Sequence, residues 1–223
     1  MEMPWIEVLN MKLDKKSMLL YAVTDRSWLG QKTLEMQVEE ALKGGVTCVQ
    51  LREKEICEED FLSEAIKIKA LCKKYNVTFI VNDNVDIAIK CGADGIHVGQ
   101  NDMEASNVRE VIGKDMILGV SAQTVEQAVL AEKNGADYLG VGAVFNTSTK
   151  LDADAVRFET LKEICYTVSI PVVAIGGIHK NNILELSGTG IDGVALVCAI
   201  FASDNIENEC KELLLLSEKM VAL

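Results

Sequence analysis

Four related segments, KGGVTCV, KCGADGI, KNGADYL and GTGIDGV, recur along this chain and constrain its fold more than any other feature. They place Gly45, Gly92, Gly135 and Gly190 just before apolar, β-rich runs, with gaps of 47, 43 and 55 residues. Glycine accepts the left-handed turn that ends a helix before the chain enters a buried strand. Each gap is long enough for two strands and two helices, so the unit of repetition is a pair of βα steps.

Eight β-rich runs fit this spacing: 18–25, 46–53, 78–83, 94–100, 116–122, 137–145, 170–177 and 193–200. Several are continuously apolar, as strands covered on both faces must be. The intervening stretches have helical periodicity. Residues 57–75 open with Glu58, Glu59 and Asp60, close with Lys73 and Lys74, and carry a Phe61, Ala65, Ile68, Cys72 stripe. Those charges match the helix dipole, and that stripe suits packing on a sheet. Residues 124–135 repeat the design, with Thr124 as cap and Gly135 at the end. Eight units over ~206 residues average roughly 26 each, which predicts a compact α/β single-domain (β/α)8 TIM barrel. An open doubly wound sheet is the alternative. Residues 17–223 are expected to form the barrel, with 1–16 as a short N-terminal helical extension carrying Trp5, Leu9 and Leu13 on one face.

Composition removes several functions. Of 223 residues, 34 are acidic and 22 basic, for a formal charge of −12. That balance opposes a nucleic-acid groove or an anionic membrane surface as partner. Seven cysteines without a CxxC pair support neither a zinc ribbon nor a disulfide framework, and a reducing cytoplasmic setting fits. The N-terminus lacks the apolar core of a signal peptide.

A barrel of this kind carries its chemistry at the C-terminal ends of its strands. There the chain places Gln50-Leu51-Arg52-Glu53-Lys54, Asn82-Asp83, Gln100-Asn101-Asp102, Ser121, Asn146-Thr147-Ser148-Thr149-Lys150, Gly176-Gly177 and Val197-Cys198. Arg52, Lys54 and Lys150 are candidate donors to phosphate oxygens. Gly177 and the backbone beyond the eighth run suit a second phosphate site. Asp83 and Asp102 offer the sparse hard oxygens that Mg2+ takes, leaving room for substrate phosphates. Plainer roles exist for each. Asp83 and Asp102 could be helix caps, Arg52 and Lys54 could pair with Glu53 and Glu55, and Ser121 could cap a helix near Thr124. His97, within a strand, reads as a satisfied core or rim histidine. Together those roles leave unexplained why the polar groups gather at one end of the barrel.

QLREK at 50–54, VND at 81–83, GIHVGQND at 95–102, GVS at 119–121, TSTK at 147–150 and AIGGI at 174–178 resemble the thiamine-phosphate synthase family, in the family's order. The resemblance covers about residues 17–203. It implies a transferase that joins hydroxymethylpyrimidine diphosphate to thiazole phosphate, or its carboxylated tautomer, and releases pyrophosphate. It implies that Gln50, Leu51, Arg52, Glu53, Lys54, Asn82, Ser121 and Lys150 hold the pyrimidine diphosphate, with Arg52, Lys54, Ser121 and Lys150 serving the reaction. Asp83 and Asp102 would bind one Mg2+, and Thr147, Ser148, Thr149, Gly177, Val197 and Cys198 the thiazole phosphate. The implied partners are these two small molecules, with no nucleic acid and no membrane; a homo-oligomer is left open.

The chain departs from the family at Ala143 and Asn146, where prolines are frequent, and at Cys198, where serine is usual. A thiazole tautomerase paralogue is the nearest rival, but its histidine position holds Gln123 here. A sugar-phosphate isomerase barrel would want paired carboxylates or a histidine metal cluster, and the chain has two histidines. A non-catalytic phosphate-binding barrel is the alternative outside catalysis.

Overall fold

The computed structural model describes residues 13–99, 105–146 and 156–223. Its centre is a closed barrel of eight parallel strands in the order β1 to β8, with β8 returning to pair with β1. The strands are β1 (Leu20–Val23), β2 (Cys48–Leu51), β3 (Thr78–Asn82), β4 (Gly95–Val98), β5 (Ile117–Ala122), β6 (Tyr138–Gly142), β7 (Val172–Ile175) and β8 (Gly193–Leu196). The barrel, rather than the open sheet, is therefore the architecture.

Around it lie α1 (Leu34–Lys43), α2 (Glu58–Tyr75), α3 (Val85–Cys91), α4 (Ala105–Ile112), α5 (Val125–Lys133) and α6 (Phe158–Thr167). The step from β7 to β8 is made through a 3-10 turn, Ile183–Leu186, in place of an α-helix. After β8 come the single turn α7 (Cys198–Phe201) and the long α8 (Ile206–Ala222). The expected stripe on α2 is buried as Phe61, Ala65, Ile68 and Cys72, and the Thr124 hydroxyl caps α5 by accepting from Gln127 N. No helix among the described residues is long and apolar enough to cross a membrane.

The fourfold repeat has a structural cause at the N-terminal end of the barrel. Gly45, Gly92, Gly135 and Gly190 all adopt positive φ, between 65° and 93°. Two residues after each glycine stands a side chain that clamps the preceding odd-numbered strand. Thr47 Oγ1 accepts from Leu20 N at 2.9 Å and Asp94 Oδ2 from Phe79 N at 2.8 Å. Asp137 Oδ2 accepts from Leu118 N at 2.8 Å and Asp192 Oδ2 from Val172 N at 2.9 Å. The three aspartates pair in turn with Lys69, Arg109 and Lys15. These bonds satisfy strand-end N–H groups that closure of the barrel would otherwise leave without partners.

All eight observed strands are shorter than the apolar runs. The eighth ends at Leu196, and Val197 and Cys198 turn into α7 instead of continuing it. Cys198 is thus not a strand residue, in contrast to Cys48, which is fully buried inside the barrel. The proposed helix over Trp5 and Leu9 lies outside the described residues; Asp14 caps a 3-10 turn at Lys15–Met18.

Candidate active site

Alternation along the strands sorts side chains between two cores. Leu51, Val81, Ile96 and Leu139 face the helical layer, whereas Tyr21, Cys48, Ile80, Tyr138, Val173 and Ala195 fill the barrel. The filling is asymmetric because several inward positions are glycines. A Cβ on Gly119 would stand 2.2 Å from Tyr138 Cζ, and one on Gly140 would stand 3.0 Å from His97 Cε1. The missing side chains leave room for a tyrosine and a histidine ring to lie across the interior.

Those rings belong to a continuous polar chain. Gln50 Nε2 donates to Tyr21 Oη at 2.8 Å, and the Tyr21 and Tyr138 hydroxyls are 2.8 Å apart. Tyr138 Oη is 3.0 Å from His97 Nδ1, and His97 Nε2 is 3.0 Å from Ser121 Oγ. Burial pushes both phenols well above their ordinary pKa, so they remain protonated donors. The chain brings Gln50 of β2 and Ser121 of β5, both expected ligands of one substrate, into a single network. His97 is a satisfied core histidine, as expected, and it is also the link to Ser121. Ser121 is not the cap of α5; Thr124 is.

At the C-terminal rim, β3 ends in Asn82 and Asp83. Asp83 adopts φ 61°, and its N–H donates to His97 O at 2.8 Å. Asn82 Nδ2 donates to Asp83 Oδ2 at 2.6 Å. Asp83 does not cap α3; Asn84 does, accepting from Ile87 N. An aspartate held in left-handed backbone without a capping role suits a carboxylate that serves a ligand. Among the described residues no group of three or more His, Cys, Asp or Glu side chains gathers around a metal position. Mg2+ needs no such cage, since one or two carboxylates plus water and phosphate complete its sphere. Asp83, a hard oxygen donor at the rim, fits that demand; Asp102, its expected partner, lies outside the described residues.

Beyond β2, Arg52 is half-buried and Lys54 exposed, and among the described residues neither forms an ion pair. Thr24 Oγ1 accepts from Arg52 N at 3.0 Å, fixing the start of this loop. Glu53 does not pair with Arg52. Its carboxylate accepts from Arg26 Nε at 2.8 Å, and Arg26 also binds Glu64 of α2. Burial, together with the neighbouring Glu53, pushes Glu64 up to about 7. Leu51 and Glu53 therefore turn their side chains away from the barrel interior, and Leu51 can offer a ligand only main-chain atoms.

Gly176 and Gly177 follow β7 with φ 99° and 67°. A Cβ on Gly177 would come 2.5 Å from Asn146 O and 2.8 Å from Phe145 Cβ, so the glycine is required by close packing as well as by conformation. Asn182 Nδ2 donates to Gly177 O at 2.9 Å, while its Oδ1 accepts from His179 N at 2.8 Å. Val197 and Cys198 lie at the start of α7. Thr147, Ser148, Thr149 and Lys150 lie outside the described residues. Two groups escaped the sequence reading: the tyrosine pair, hidden in apolar runs, and Arg26, whose partners are 27 and 38 residues away.

Comparison with known proteins identifies the family. Residues 20–200 match the family model described as thiamine monophosphate synthase. The chain is 54% identical over 195 residues to a thiamine-phosphate synthase of Ruminiclostridium cellulolyticum, covering 87% of this chain and 93% of that protein. It is 50% identical over 194 residues to one of Clostridium tetani, with the same coverages. Its structure superposes on a thiamine phosphate pyrophosphorylase from Pyrococcus furiosus with a TM-score of 0.86 and 37% identity, covering 93% of this chain and 98% of that one. A family match over most of the barrel and relatives at half identity along nearly their whole length leave one conclusion: this chain belongs to the thiamine monophosphate synthase family.

Proposed function

We propose that this enzyme condenses hydroxymethylpyrimidine diphosphate with thiazole phosphate to give thiamine phosphate and pyrophosphate. The observation that carries the reading is the match to the family over residues 20–200. The placement of Gln50, Asn82, Asp83, Ser121 and Gly177 at strand ends on one rim agrees with it.

Rupture of the pyrimidine methylene C–O bond releases pyrophosphate and leaves a cation stabilised by the aminopyrimidine; the thiazole nitrogen then supplies the electron pair of the new C–N bond. No protein nucleophile is required. Arg52, Lys54 and Lys150 neutralise and hold the leaving diphosphate, while Gln50, Asn82 and Ser121 orient it from strands β2, β3 and β5. Asp83 and Asp102 would hold Mg2+, which supplies further neutralisation of the leaving charge. Gly177, with Thr147, Ser148, Thr149 and the Val197–Cys198 backbone, holds the thiazole phosphate so that its ring nitrogen faces the cation. Residues 17–223 act as one catalytic domain behind a short N-terminal extension, and the cytoplasm is its setting.

The tautomerase reading finds no support at Gln123. This side chain is an amide whose Nε2 reaches Gly142 O at 3.4 Å, and an amide cannot shuttle the proton that tautomerisation moves. Incubation of the purified protein with both phosphorylated precursors, with and without Mg2+, tests the proposal. Thiamine phosphate and pyrophosphate should appear in equal amounts and only with the metal. Isomerisation of the thiazole alone, or no product with Mg2+ present, would reject it.

A further inference from the structure

Gln50 and Ser121 stand on strands β2 and β5, and a run of buried side chains connects them. Each phenol in the chain has one proton to give, and the bonds from Tyr21 through His97 can run in either of two directions. Gln50 Nε2 donates to Tyr21 Oη, which leaves the Tyr21 proton available to Tyr138. In the direction that starts from Gln50, Tyr138 gives its proton to His97 Nδ1, and the imidazole proton on Nε2 goes to Ser121 Oγ. Ser121 thereby accepts from His97 and directs its own proton elsewhere. With the opposite polarity, Ser121 would donate to His97 and turn lone pairs toward an anionic ligand.

We propose that Tyr21 and Tyr138 are positioning residues for the pyrimidine diphosphate, acting through Gln50 at one end of the chain and through His97 and Ser121 at the other. The inference rests on the reading of Gln50 and Ser121 as ligands of that substrate. The packing supports a dedicated arrangement: Gly119 and Gly140 leave the space that the Tyr138 and His97 rings occupy. Tyr21 and Tyr138 have almost no exposure, 1% and 0%, so they act through these bonds.

The test uses the full chain, labelled with 15N in its histidine rings. The sequence has only His97 and His179, so the second is an internal control. At pH 8 the wild-type His97 spectrum should show a protonated Nε2 and an unprotonated Nδ1. In Tyr138→Phe, which keeps the ring and removes the donor to Nδ1, the His97 signals should move toward a mixture of tautomers while those of His179 stay fixed. The KM for the pyrimidine diphosphate should rise roughly fivefold or more, the change expected from loss of a buried hydrogen bond, with the KM for thiazole phosphate unchanged. Tyr21→Phe interrupts the chain one link further away and should shift both readouts in the same sense. Wild-type turnover with an unmoved His97 spectrum in both variants, or equal rises in both KM values, would overturn the positioning role alone. A wild type that forms no thiamine phosphate would instead overturn the functional reading beneath it.

Discussion

The ring of Tyr138 occupies the space that Gly119 leaves empty: a Cβ at 119 would stand 2.2 Å from Tyr138 Cζ and 2.4 Å from its hydroxyl oxygen. The interior cannot yield easily, because Tyr138 is fully buried and bonded to both Tyr21 and His97. Gly119→Ala should therefore destabilise the protein by about 1–3 kcal/mol, the usual range for overpacking a core. Urea denaturation checks this, and a change below about 0.5 kcal/mol would show that the ring relocates freely.

Asp83 tests the metal site. Asparagine tolerates left-handed backbone, so Asp83→Asn should preserve the conformation at φ 61° while removing the negative charge. Turnover should fall by roughly 100-fold or more, with thiazole-phosphate affinity by calorimetry unchanged. Normal turnover would remove Asp83 from the metal site.

Gly177→Ala examines the other phosphate. The added methyl meets Asn146 O at 2.5 Å on a backbone with φ 67°, so the turn must shift. The KM for thiazole phosphate should rise about tenfold, equivalent to ~1.4 kcal/mol, and the KM for the pyrimidine diphosphate should hold. Steady-state kinetics with each substrate varied in turn will show whether that split occurs; an unchanged thiazole-phosphate KM would contradict the assignment.

Glu64 gives a pH signature. Its carboxyl titrates at about 7 in the folded protein, above its ordinary 4.5, because of burial and the adjacent Glu53. The folded state then holds a proton that the unfolded chain releases near 4.5. The associated stability is complete below that value and is lost as the pH rises through about 7. Because Arg26 is partly solvated, the loss should amount to about 1–2 kcal/mol rather than the full equivalent of the shift. Glu64→Gln mimics the protonated carboxyl and should gain this amount over wild type at pH 8 but little at pH 4.5. Denaturation midpoints for both proteins at the two pH values provide the check, and a difference independent of pH would contradict it.

Much of the frame is legible in the sequence because it depends on local rules. The Phe61, Ala65, Ile68 and Cys72 stripe, the Thr124 cap and the positive-φ glycines each need only a few neighbouring residues. The site is legible in part, since barrel geometry specifies the strand ends in advance. What remained hidden depends on closure. Tyr21 and Tyr138 sit in apolar runs, and only their 117-residue contact across the interior shows them to be polar links. Glu53 looked like a rim partner for Arg52 until α2 and the loop after β1 converged on Arg26. Likewise, β8 ends at Leu196 although apolar residues continue, because the chain turns into α7.

The interior chain also bears on how the barrel can be divided. Of its four hydrogen bonds, three join a residue of the first four strands to one of the last four: Tyr21 to Tyr138, His97 to Tyr138 and His97 to Ser121. Only the bond from Gln50 to Tyr21 stays within one half. A half-barrel made of either four strands would lose these three bonds and leave the Tyr21, Tyr138 and His97 polar groups without their protein partners. The outer clamps repeat with each pair of strands and could be inherited by duplication. The polar interior has no such symmetry, and it becomes a satisfied structure only when both halves meet.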